Sequence, residues 1–248
     1  MSAAGLTAQP RVRVLDSAGA LFQAAAEEFA ARATAAVKQS GRFAVALSGG
    51  STPKGMFSLL ATSAFSSVPW DKTFFFWGDE RHVPPDNPES NYRMAHEALL
   101  AKIPARPANV FRIKAEDSDA ARAALDYERV ITTFFGLKPG EFPRFDLILL
   151  GLGPEGHVAS LFPGSAAMEE TQRLVVANWV EKFHTNRITF TFPVLNHAAC
   201  VMFLASGAGK AAIVKQILSD PTAGLPAQRV RPTDGDLLWF LDKGSAGD

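Results

Sequence analysis

Phe43-Ala44-Val45-Ala46-Leu47-Ser48-Gly49-Gly50-Ser51-Thr52-Pro53 is the stretch that decides the fold, because an apolar run ends there in a loop of glycines and hydroxyl groups. A short, uninterrupted apolar run is typical of a strand buried on both faces of a parallel sheet. Pro53 suits the first turn of a helix, where its missing N–H costs little, and a helix is predicted over Lys54–Ala61. The stretch therefore predicts a strand, a tight loop and a helix in succession.

The same alternation of apolar runs and helical segments extends in both directions from this stretch. A strand is predicted over Arg11–Leu15, and apolar residues at helical spacing between Leu21 and Val37 predict an amphipathic helix. The other predicted strands are Thr73–Trp77, Val110–Ile113, Phe145–Leu150, Leu174–Ala177, Arg187–Phe192, Cys200–Ala205 and Leu237–Leu241, and the other predicted helices are Ser90–Ala101, Ala120–Phe135 and Lys210–Leu218. This order predicts an α/β fold with a mainly parallel sheet and helices on both faces.

The composition is that of an ordinary globular protein, with 248 residues of which 47% are hydrophobic and 20% are charged. Its 25 basic and 25 acidic side chains cancel. Surfaces that bind nucleic acids or membranes usually carry a basic excess, so neither kind of partner is expected. Any anion that the protein binds must be held by a local cluster of groups.

The single cysteine, Cys200, lies in the apolar run Ala198–Leu204 and excludes an internal disulfide. We expect a buried, inert thiol, and a catalytic nucleophile is the alternative. The N-terminal sequence lacks the basic start and long apolar core of a signal peptide, and the apolar runs are too short to span a membrane. A cytoplasmic location is therefore expected.

Three segments that follow predicted strands are richer in glycine and charged side chains than packing requires: Ser48–Pro53, Gly78–Pro84 and Gly151–Gly164. Ligands of parallel α/β sheets bind outside the carboxyl ends of the strands, so these segments are candidates for a site. The first opens a helix, whose free N–H groups and positive dipole end favour a phosphate. It is neither a G-x-G-x-x-G nor a Walker A sequence, and a plain strand-to-helix turn is the alternative.

The second segment places Asp79, Glu80, Arg81 and His82 directly after an apolar strand. The planar guanidinium of Arg81 is suited to a bidentate phosphate contact. A solvated loop with an internal ion pair is the alternative interpretation of the same residues. Downstream, Ser90 is a candidate N-cap for the next helix.

The third segment presents one histidine, His157, among glycines after the most hydrophobic strand. A histidine on such a loop can be poised near neutral pH as a general base. A histidine that caps loop carbonyls is the alternative.

Other reaction classes lack their usual residues. The remaining histidines have no metal-ligand spacing, and neither H-E-x-x-H nor a cysteine pair occurs, so no metal site is expected. The absence of G-x-S-x-G argues against a serine nucleophile. Arg187 opens a predicted strand and Lys210 a predicted helix, and each is either a surface charge or a further part of an anion site.

Five motifs together resemble the 6-phosphogluconolactonase family in content, order and spacing. They are SGGSTP from Ser48, WGDERHVP from Trp77 with SNY at Ser90, GLGPEGHVASLFPG from Gly151, RITFTFP from Arg187 and GAGKAA from Gly207. The resemblance runs from about Phe43 to Leu218, and its most specific part is the segment around His157.

The resemblance implies a single Rossmann-like α/β domain over residues 1–248 that hydrolyses 6-phospho-D-glucono-1,5-lactone to 6-phospho-D-gluconate in the oxidative pentose phosphate pathway. It implies no metal, no organic cofactor and no obligate protein partner. His157 would activate water, and Asp79 would lie beside the sugar and orient its hydroxyls or the water. The residues implied for the phosphate are Ser48, Gly49, Gly50, Ser51 and Thr52, with Arg81, Arg187 and Lys210 as cationic partners.

The residue chemistry agrees with this reaction, since an activated ester needs a positioned water, a base and support for the developing oxyanion. The N–H groups of Gly153 and Gly156 are the hypothetical oxyanion donors. The chain departs from the family pattern at Glu155, where Asp is usual, at Val158, where Thr is usual, and at Pro85–Glu89, where a histidine is common. These departures concern the geometry of the loops and not the class of reaction.

Two alternatives to the lactonase share parts of the pattern. Glucosamine-6-phosphate deaminases share the phosphate loop and residues like Asp79 and His157, but they continue toward an Asn-Glu-Pro whose Glu assists ring opening. Leu161-Phe162-Pro163 stands at that place here, and Phe162 cannot transfer a proton. A non-catalytic sugar-phosphate sensor would usually be fused to a DNA-binding module, for which we expect no room before the first strand.

Overall fold

Residues 9–248 are described by the computed structural model, and their strands form two sheets. The strands are β1 Arg11–Leu15, β2 Phe43–Leu47, β3 Thr73–Trp77, β4 Asp79–Arg81, β5 Leu147–Leu150, β6 Val175–Val180, β7 Thr185–Phe190, β8 Cys200–Ala205 and β9 Asp236–Asp242. The α-helices are α1 Ala18–Ser40, α2 Ser51–Leu60, α3 Asn91–Ala98, α4 Ala120–Phe135, α5 Phe192–His197, α6 Ala211–Ser219 and α7 Lys243–Ala246.

The larger sheet has six strands in the order β1-β9-β8-β5-β2-β3, and every neighbouring pair is parallel. Every residue of β2, β5 and β8 is buried, as expected for strands covered on both faces. The predicted α/β fold with a mainly parallel sheet is confirmed.

The direction in which the chain crosses this sheet reverses between β2 and β5. From β1 the chain passes through α1 to β2 and through α2 to β3, whereas from β5 it moves the other way to β8 and β9. Right-handed crossovers put helices of the two directions on opposite faces, and α1 packs against α2 accordingly. The carboxyl ends of β2 and β5 thus form the topological switch point, where open α/β sheets bind their ligands.

Helix α1 illustrates how local signals and packing agree. The side chain of Ser17 accepts a hydrogen bond from the N–H of Ala20, and Gly41 ends the helix in the left-handed conformation. The buried face repeats at helical spacing through Leu21, Ala25 and Phe29. Phe29 meets Phe43 of β2 edge-on at 5.3 Å between ring centroids, so the helix is fixed on the sheet next to the strand that leads to the switch point.

The smaller sheet, β4-β7-β6, is antiparallel and was not predicted. It follows β3 after one residue, Gly78, and α4 packs on its strands β6 and β7. The predicted strand Val110–Ile113 is wrong, because only Val110 bridges to the sheet, at Phe75. The helix predicted from Lys54 begins at Ser51, and Phe192 opens α5 instead of ending a strand.

Two further properties concern the described residues as a whole. In residues 9–248 no helix is both long and apolar enough to cross a bilayer. The same residues contain no group of three or more His, Cys, Asp or Glu side chains placed to hold a metal ion. The prediction of one domain over residues 1–248 stays a prediction.

Candidate active site

A cavity of about 170 Å³ opens at the switch point, above the ends of β2 and β5. Three of its walls come from the loops after β2, β3 and β5, as the sequence predicted, and a fourth comes from the segment between β8 and α6. The residues that line it are Ser48, Gly49, Gly50, Ser51, Thr52, Pro53, Asp79, Arg81, Asn91, Gly151, Leu152, Gly153, His157, Ala159, Leu204, Ala205 and Lys210. Of the predicted site residues, Arg187 and Gly156 do not line the cavity.

The loop after β2 presents the N-terminus of α2 to the cavity. Gly50 precedes the helix with φ of 102°, a value that residues with a Cβ rarely adopt. No side chain caps the helix, so the first N–H groups, at Ser51 and Thr52, have no partner within it. The hydroxyl of Ser48 accepts a hydrogen bond from the N–H of Gly151 at 3.2 Å, which ties this loop to the one after β5. The arrangement can receive an anion.

Two cationic side chains, Arg81 and Lys210, also line the cavity. Lys210 closes a short 3-10 turn before α6, and no carboxylate among residues 9–248 lies within ion-pair distance of it. Arg81 lies at the end of β4, where one of its guanidinium nitrogens donates to the carbonyl of Glu89 at 2.8 Å. Both charges add to that of the helix N-terminus and make the cavity suited to a phosphate.

Arg187 lies next to Arg81, as its partner across the β4–β7 pair, and outside the cavity wall. The Nε atoms of both arginines are buried without a hydrogen-bond partner in the described part of the chain. Burial, and then the charge of Arg81, lower the pKa of Arg187. Two adjacent guanidinium groups with unmet donors leave room for an anionic partner.

Asp79 is only 5% exposed and lies in β4, so the alternative of a solvated loop is wrong. Its carboxylate accepts a hydrogen bond from the hydroxyl of Ser160 at 2.7 Å and one from the amide of Asn91 at 3.3 Å. Both partners are buried, which fixes the carboxylate at the edge of the cavity. Neither Ser160 nor Asn91 was predicted as a site residue, although both fall inside the quoted motifs.

Glu80, the neighbour of Asp79, has a structural part in the same network. Its carboxylate accepts hydrogen bonds from the N–H groups of Asn91 and Tyr92 at 2.7 and 2.8 Å and from the hydroxyl of Ser90 at 3.0 Å. Burial raises the pKa of Glu80, and the backbone N–H donors oppose that shift. Glu80 thus holds the start of α3, and with it the Asn91 side chain that reaches Asp79.

His157 also lines the cavity, with its Nδ1 2.9 Å from Oε2 of Glu155. A carboxylate can only accept, so Nδ1 carries the hydrogen and Nε2 is left with a lone pair. Burial lowers the pKa of His157; Glu155 and Asp79 oppose this, and Lys210 adds to it. The imidazole is therefore held neutral and oriented, which is the state that a general base requires.

Gly153 makes room for this imidazole. A Cβ at Gly153 would stand 1.9 Å from Nδ1 of His157, so any side chain there would displace the ring. On its other face the ring stacks on Phe162, with centroids 4.0 Å apart and planes at 26°. The imidazole is thus held between a backbone segment and an aromatic side chain.

The predicted oxyanion role of Gly153 and Gly156 does not agree with the structure. The N–H of Gly153 donates to the carbonyl of His157 at 2.9 Å, and the N–H of Gly156 donates to the carbonyl of Gly153 at 3.1 Å. Both donors are used to close the turn that carries the histidine, so neither is free for a ligand.

Two other residues considered from the sequence, Cys200 and His82, have structural roles. Cys200 is buried in β8, and burial raises the pKa of its thiol to about 12, so it stays protonated and unreactive. The Nε2 atom of His82 lies 2.6 Å from the carbonyl oxygen of Asp117, outside the cavity wall.

An open parallel α/β sheet with an uncapped helix N-terminus and an oriented histidine at its switch point has the layout of an enzyme that binds a small anionic ligand. Comparison with known proteins gives the family. The model of the glucosamine-6-phosphate isomerases/6-phosphogluconolactonase family matches residues 16–239. The chain belongs to this family.

Within the family, the similarity extends over nearly the whole chain to 6-phosphogluconolactonases. The enzyme of Nostoc sp. is 39% identical, over 96% of this chain and 97% of its own length. The enzyme of Synechocystis sp. is 40% identical, over 94% of this chain and 96% of its own length. The solved structure of 6-phosphogluconolactonase from Trypanosoma cruzi superimposes with a TM-score of 0.87 at 33% identity, over 98% of each chain.

Proposed function

We propose that this protein hydrolyses 6-phospho-D-glucono-1,5-lactone to 6-phospho-D-gluconate, with His157 as the general base. The observation that carries the proposal is the combination of groups in one cavity. The same cavity is lined by the N-terminus of α2, Arg81 and Lys210 and by a neutral histidine oriented by Glu155. A molecule that carries both a phosphate and a reactive carbonyl fits this combination.

The phosphate would bind at the free N–H groups of Ser51 and Thr52, where the helix dipole favours negative charge. Arg81 and Lys210 would neutralise it from two sides, and Arg187 would support Arg81. Because these groups are remote from the reacting carbon, their binding energy would hold the carbonyl against the base.

In the chemical step, Nε2 of His157 would take a proton from water while the water oxygen attacks the lactone carbonyl carbon. Collapse of the tetrahedral intermediate would break the bond between that carbon and the ring oxygen. The imidazolium would return its proton to the ring oxygen, which becomes a hydroxyl group, and the new carboxylic acid would lose its proton to solvent. Asp79, held by Ser160 and Asn91, would orient the sugar hydroxyls or the water.

The wider setting belongs to the same proposal. The substrate is a small phosphorylated lactone, the reaction is a step of the oxidative pentose phosphate pathway, and the enzyme works in the cytoplasm without a protein partner. The deaminase alternative finds no support in the cavity. Phe162, which stands where deaminases carry their ring-opening Glu, covers the face of His157 and offers no proton-transferring group.

The test is a coupled assay in which glucose-6-phosphate dehydrogenase generates the lactone and its disappearance is compared with spontaneous hydrolysis. We expect a large acceleration, and a fall in kcat of about 100- to 10,000-fold in His157→Ala with KM changed only a few-fold. His96→Ala is the matched control, because His96 is exposed on α3 and outside the cavity wall. No acceleration by folded protein would refute the reaction, and an unchanged kcat in His157→Ala would refute the base.

A further inference from the structure

The tip of the β6–β7 hairpin, residues Glu181–His184, contacts the loop that carries His157 without lining the cavity. Its first three residues form a 3-10 turn, and all four side chains are exposed. Exposed side chains at the end of a hairpin usually have no defined partner. Two of these four, Lys182 and Phe183, nevertheless reach toward the two groups that contact the imidazole.

The first contact is electrostatic. The ammonium group of Lys182 lies 3.1 Å from Oε1 of Glu155, while Oε2 of the same carboxylate lies 2.9 Å from Nδ1 of His157. Each carboxylate oxygen therefore has one partner, and the charge of Glu155 is shared between Lys182 and the imidazole. Lys182 also places positive charge behind that carboxylate.

The second contact is aromatic. Phe183 meets Phe162 edge-on, with centroids 6.0 Å apart and planes at 76°, and Phe162 stacks on His157. The guanidinium of Arg187 lies over the ring of Phe183 at 5.1 Å from its centroid, which holds that ring from the side of β7. The imidazole is thus backed by two aromatic layers, the outer one supplied by the hairpin.

The hairpin and the loop also meet away from the tip, where the side-chain amide of Asn178 on β6 donates to the carbonyl of Ser160 at 2.8 Å and the N–H of Ser160 donates to the hydroxyl of Thr189 on β7 at 3.1 Å. A cavity of about 540 Å³ lies beside the tip, with walls from Glu155 and Phe162 on the loop and from Trp179 and Lys182 on the hairpin. Lys182 and Phe183 thus reach the loop through side-chain contacts beside this cavity.

We propose that Lys182 and Phe183 are positioning residues that act on His157 through its two neighbours: Lys182 shares the charge of the Glu155 carboxylate with the imidazole, and Phe183 keeps water from the outer side of the aromatic stack. Neither side chain touches the substrate cavity. The inference deepens the proposed function, but its first test requires no substrate.

The groups that face the imidazole determine the direction of the effect. They are Glu155 on its own loop, Asp79 on β4 and Lys210 before α6, and burial acts in addition. Removing Lys182 takes away a cation and leaves the charge of Glu155 to the imidazolium alone, so the pKa of His157 should rise. Removing the ring of Phe183 admits water and relieves the burial of the imidazole, so the pKa of His157 should rise in this variant as well.

The experiment is an NMR titration of the His157 ring in the free protein, with the signals assigned by comparison with His157→Asn. Lys182 is 56% exposed, so screening by water should limit the rise of the His157 titration midpoint in Lys182→Met to about 0.3 pH unit. In Phe183→Ala the midpoint should rise by about 0.5 pH unit. Glu181→Gln is the matched control on the same turn, because Glu181 pairs with Trp179 and His184 and not with the loop. Its titration should match that of the parent protein.

Midpoints of Lys182→Met and Phe183→Ala within about 0.1 pH unit of the parent value would overturn the proposal. A fall in the midpoint would overturn it as well. In the lactone assay, the acid limb of kcat should move upward in both variants while KM stays within about twofold, because the phosphate end is untouched. If the protein does not hydrolyse the lactone, the titration still decides the role of the hairpin tip.

Discussion

Replacement of Glu155 by Gln tests the most specific contact of the site. The substitution keeps the size of the side chain and removes the charge that faces Nδ1 of His157 at 2.9 Å. The Gln amide can present either its oxygen or its NH₂ group to the imidazole, and in the second case Nδ1 must accept and Nε2 must carry the hydrogen. In that tautomer the histidine cannot take a proton from water at Nε2.

The size of the effect follows from the kind of bond that is lost. Once His157 is protonated, its contact with Glu155 joins two charges, and a hydrogen bond of that type contributes about 1.5–3 kcal/mol. The carboxylate is 29% exposed, which favours the lower part of that range. Since 1.36 kcal/mol corresponds to a factor of ten in rate, kcat should fall about 10- to 100-fold with little change in KM.

The acid limb of the pH profile of kcat should also shift in a defined direction, which a general loss of structure would not produce. Burial lowers the pKa of His157, and Glu155 is the foremost influence that opposes this. Without the carboxylate charge the pKa falls further, so the acid limb of kcat should move to lower pH while the plateau drops. Replacements at the hairpin tip should move the same limb the other way.

The assay is the coupled lactone assay across the pH range, with two reference variants. Glu155→Asp keeps the charge and should retain most of the activity. Glu169→Gln removes an acidic group that pairs with Arg229 at 2.9 Å, away from the cavity, and should leave both plateau and limb unchanged. A Glu155→Gln variant with the parent plateau and the parent limb would refute the role of Glu155 in orienting the base.

Two further substitutions test other parts of the site. Gly153→Ala places a methyl group 1.9 Å from Nδ1 of His157, so kcat should fall as far as in His157→Ala. Thermal unfolding should show that the free energy of unfolding is lower by about 1–3 kcal/mol. Parent activity would mean that the imidazole can take another position without loss of function. Asp242 accepts hydrogen bonds from the N–H of Gly207 at 3.0 Å and the N–H of Ser245 at 2.7 Å, and so anchors the segment that ends at Lys210. Asp242→Asn should raise KM about tenfold and leave kcat within about twofold. A fall in kcat as large as the rise in KM would indicate a different role for Asp242.

Much of the fold could be predicted because burial and periodicity act over short stretches of chain. The predicted bounds of β1, β2, β3, β8 and α4 agree with the structure to the residue. Each of these elements is either an apolar run of strand length or a segment with one apolar face at helical spacing. The convergence of three loops on one cavity was also predictable, because the carboxyl ends of parallel strands meet at the same edge of the sheet.

The use of backbone groups was not predictable in the same way. The sequence shows glycines around His157, and free N–H groups are a reasonable expectation for such a loop. Whether they stay free depends on how the turn closes, and here the N–H groups of Gly153 and Gly156 both close it. The glycines serve the histidine by leaving space for its ring instead of by donating to a ligand.

Strand β4 shows why a polar segment can be misjudged even when its residues are correctly singled out. Asp79-Glu80-Arg81 has the composition of a solvated loop, and local preference gives no reason to bury it. Its carboxylates are buried because partners outside the strand satisfy them: Ser160, 81 residues along the chain, for Asp79, and the start of α3, 10 to 12 residues along, for Glu80. The contact between Asp79 and Ser160 forms only when the whole chain is folded, so no short window of sequence contains that part of the information.

The same dependence explains how the two sheets come to share one site. Asp79 belongs to the smaller sheet and His157 to a loop of the larger one, and Ser160, three residues after the histidine, donates to the Asp79 carboxylate at 2.7 Å. The N–H of Ser160 in turn donates to the hydroxyl of Thr189 on β7, at 3.1 Å. The loop that carries His157 is thus fastened to both β4 and β7. The distance between the imidazole and the Asp79 carboxylate is set by this junction between the sheets, because neither sheet alone contains both groups.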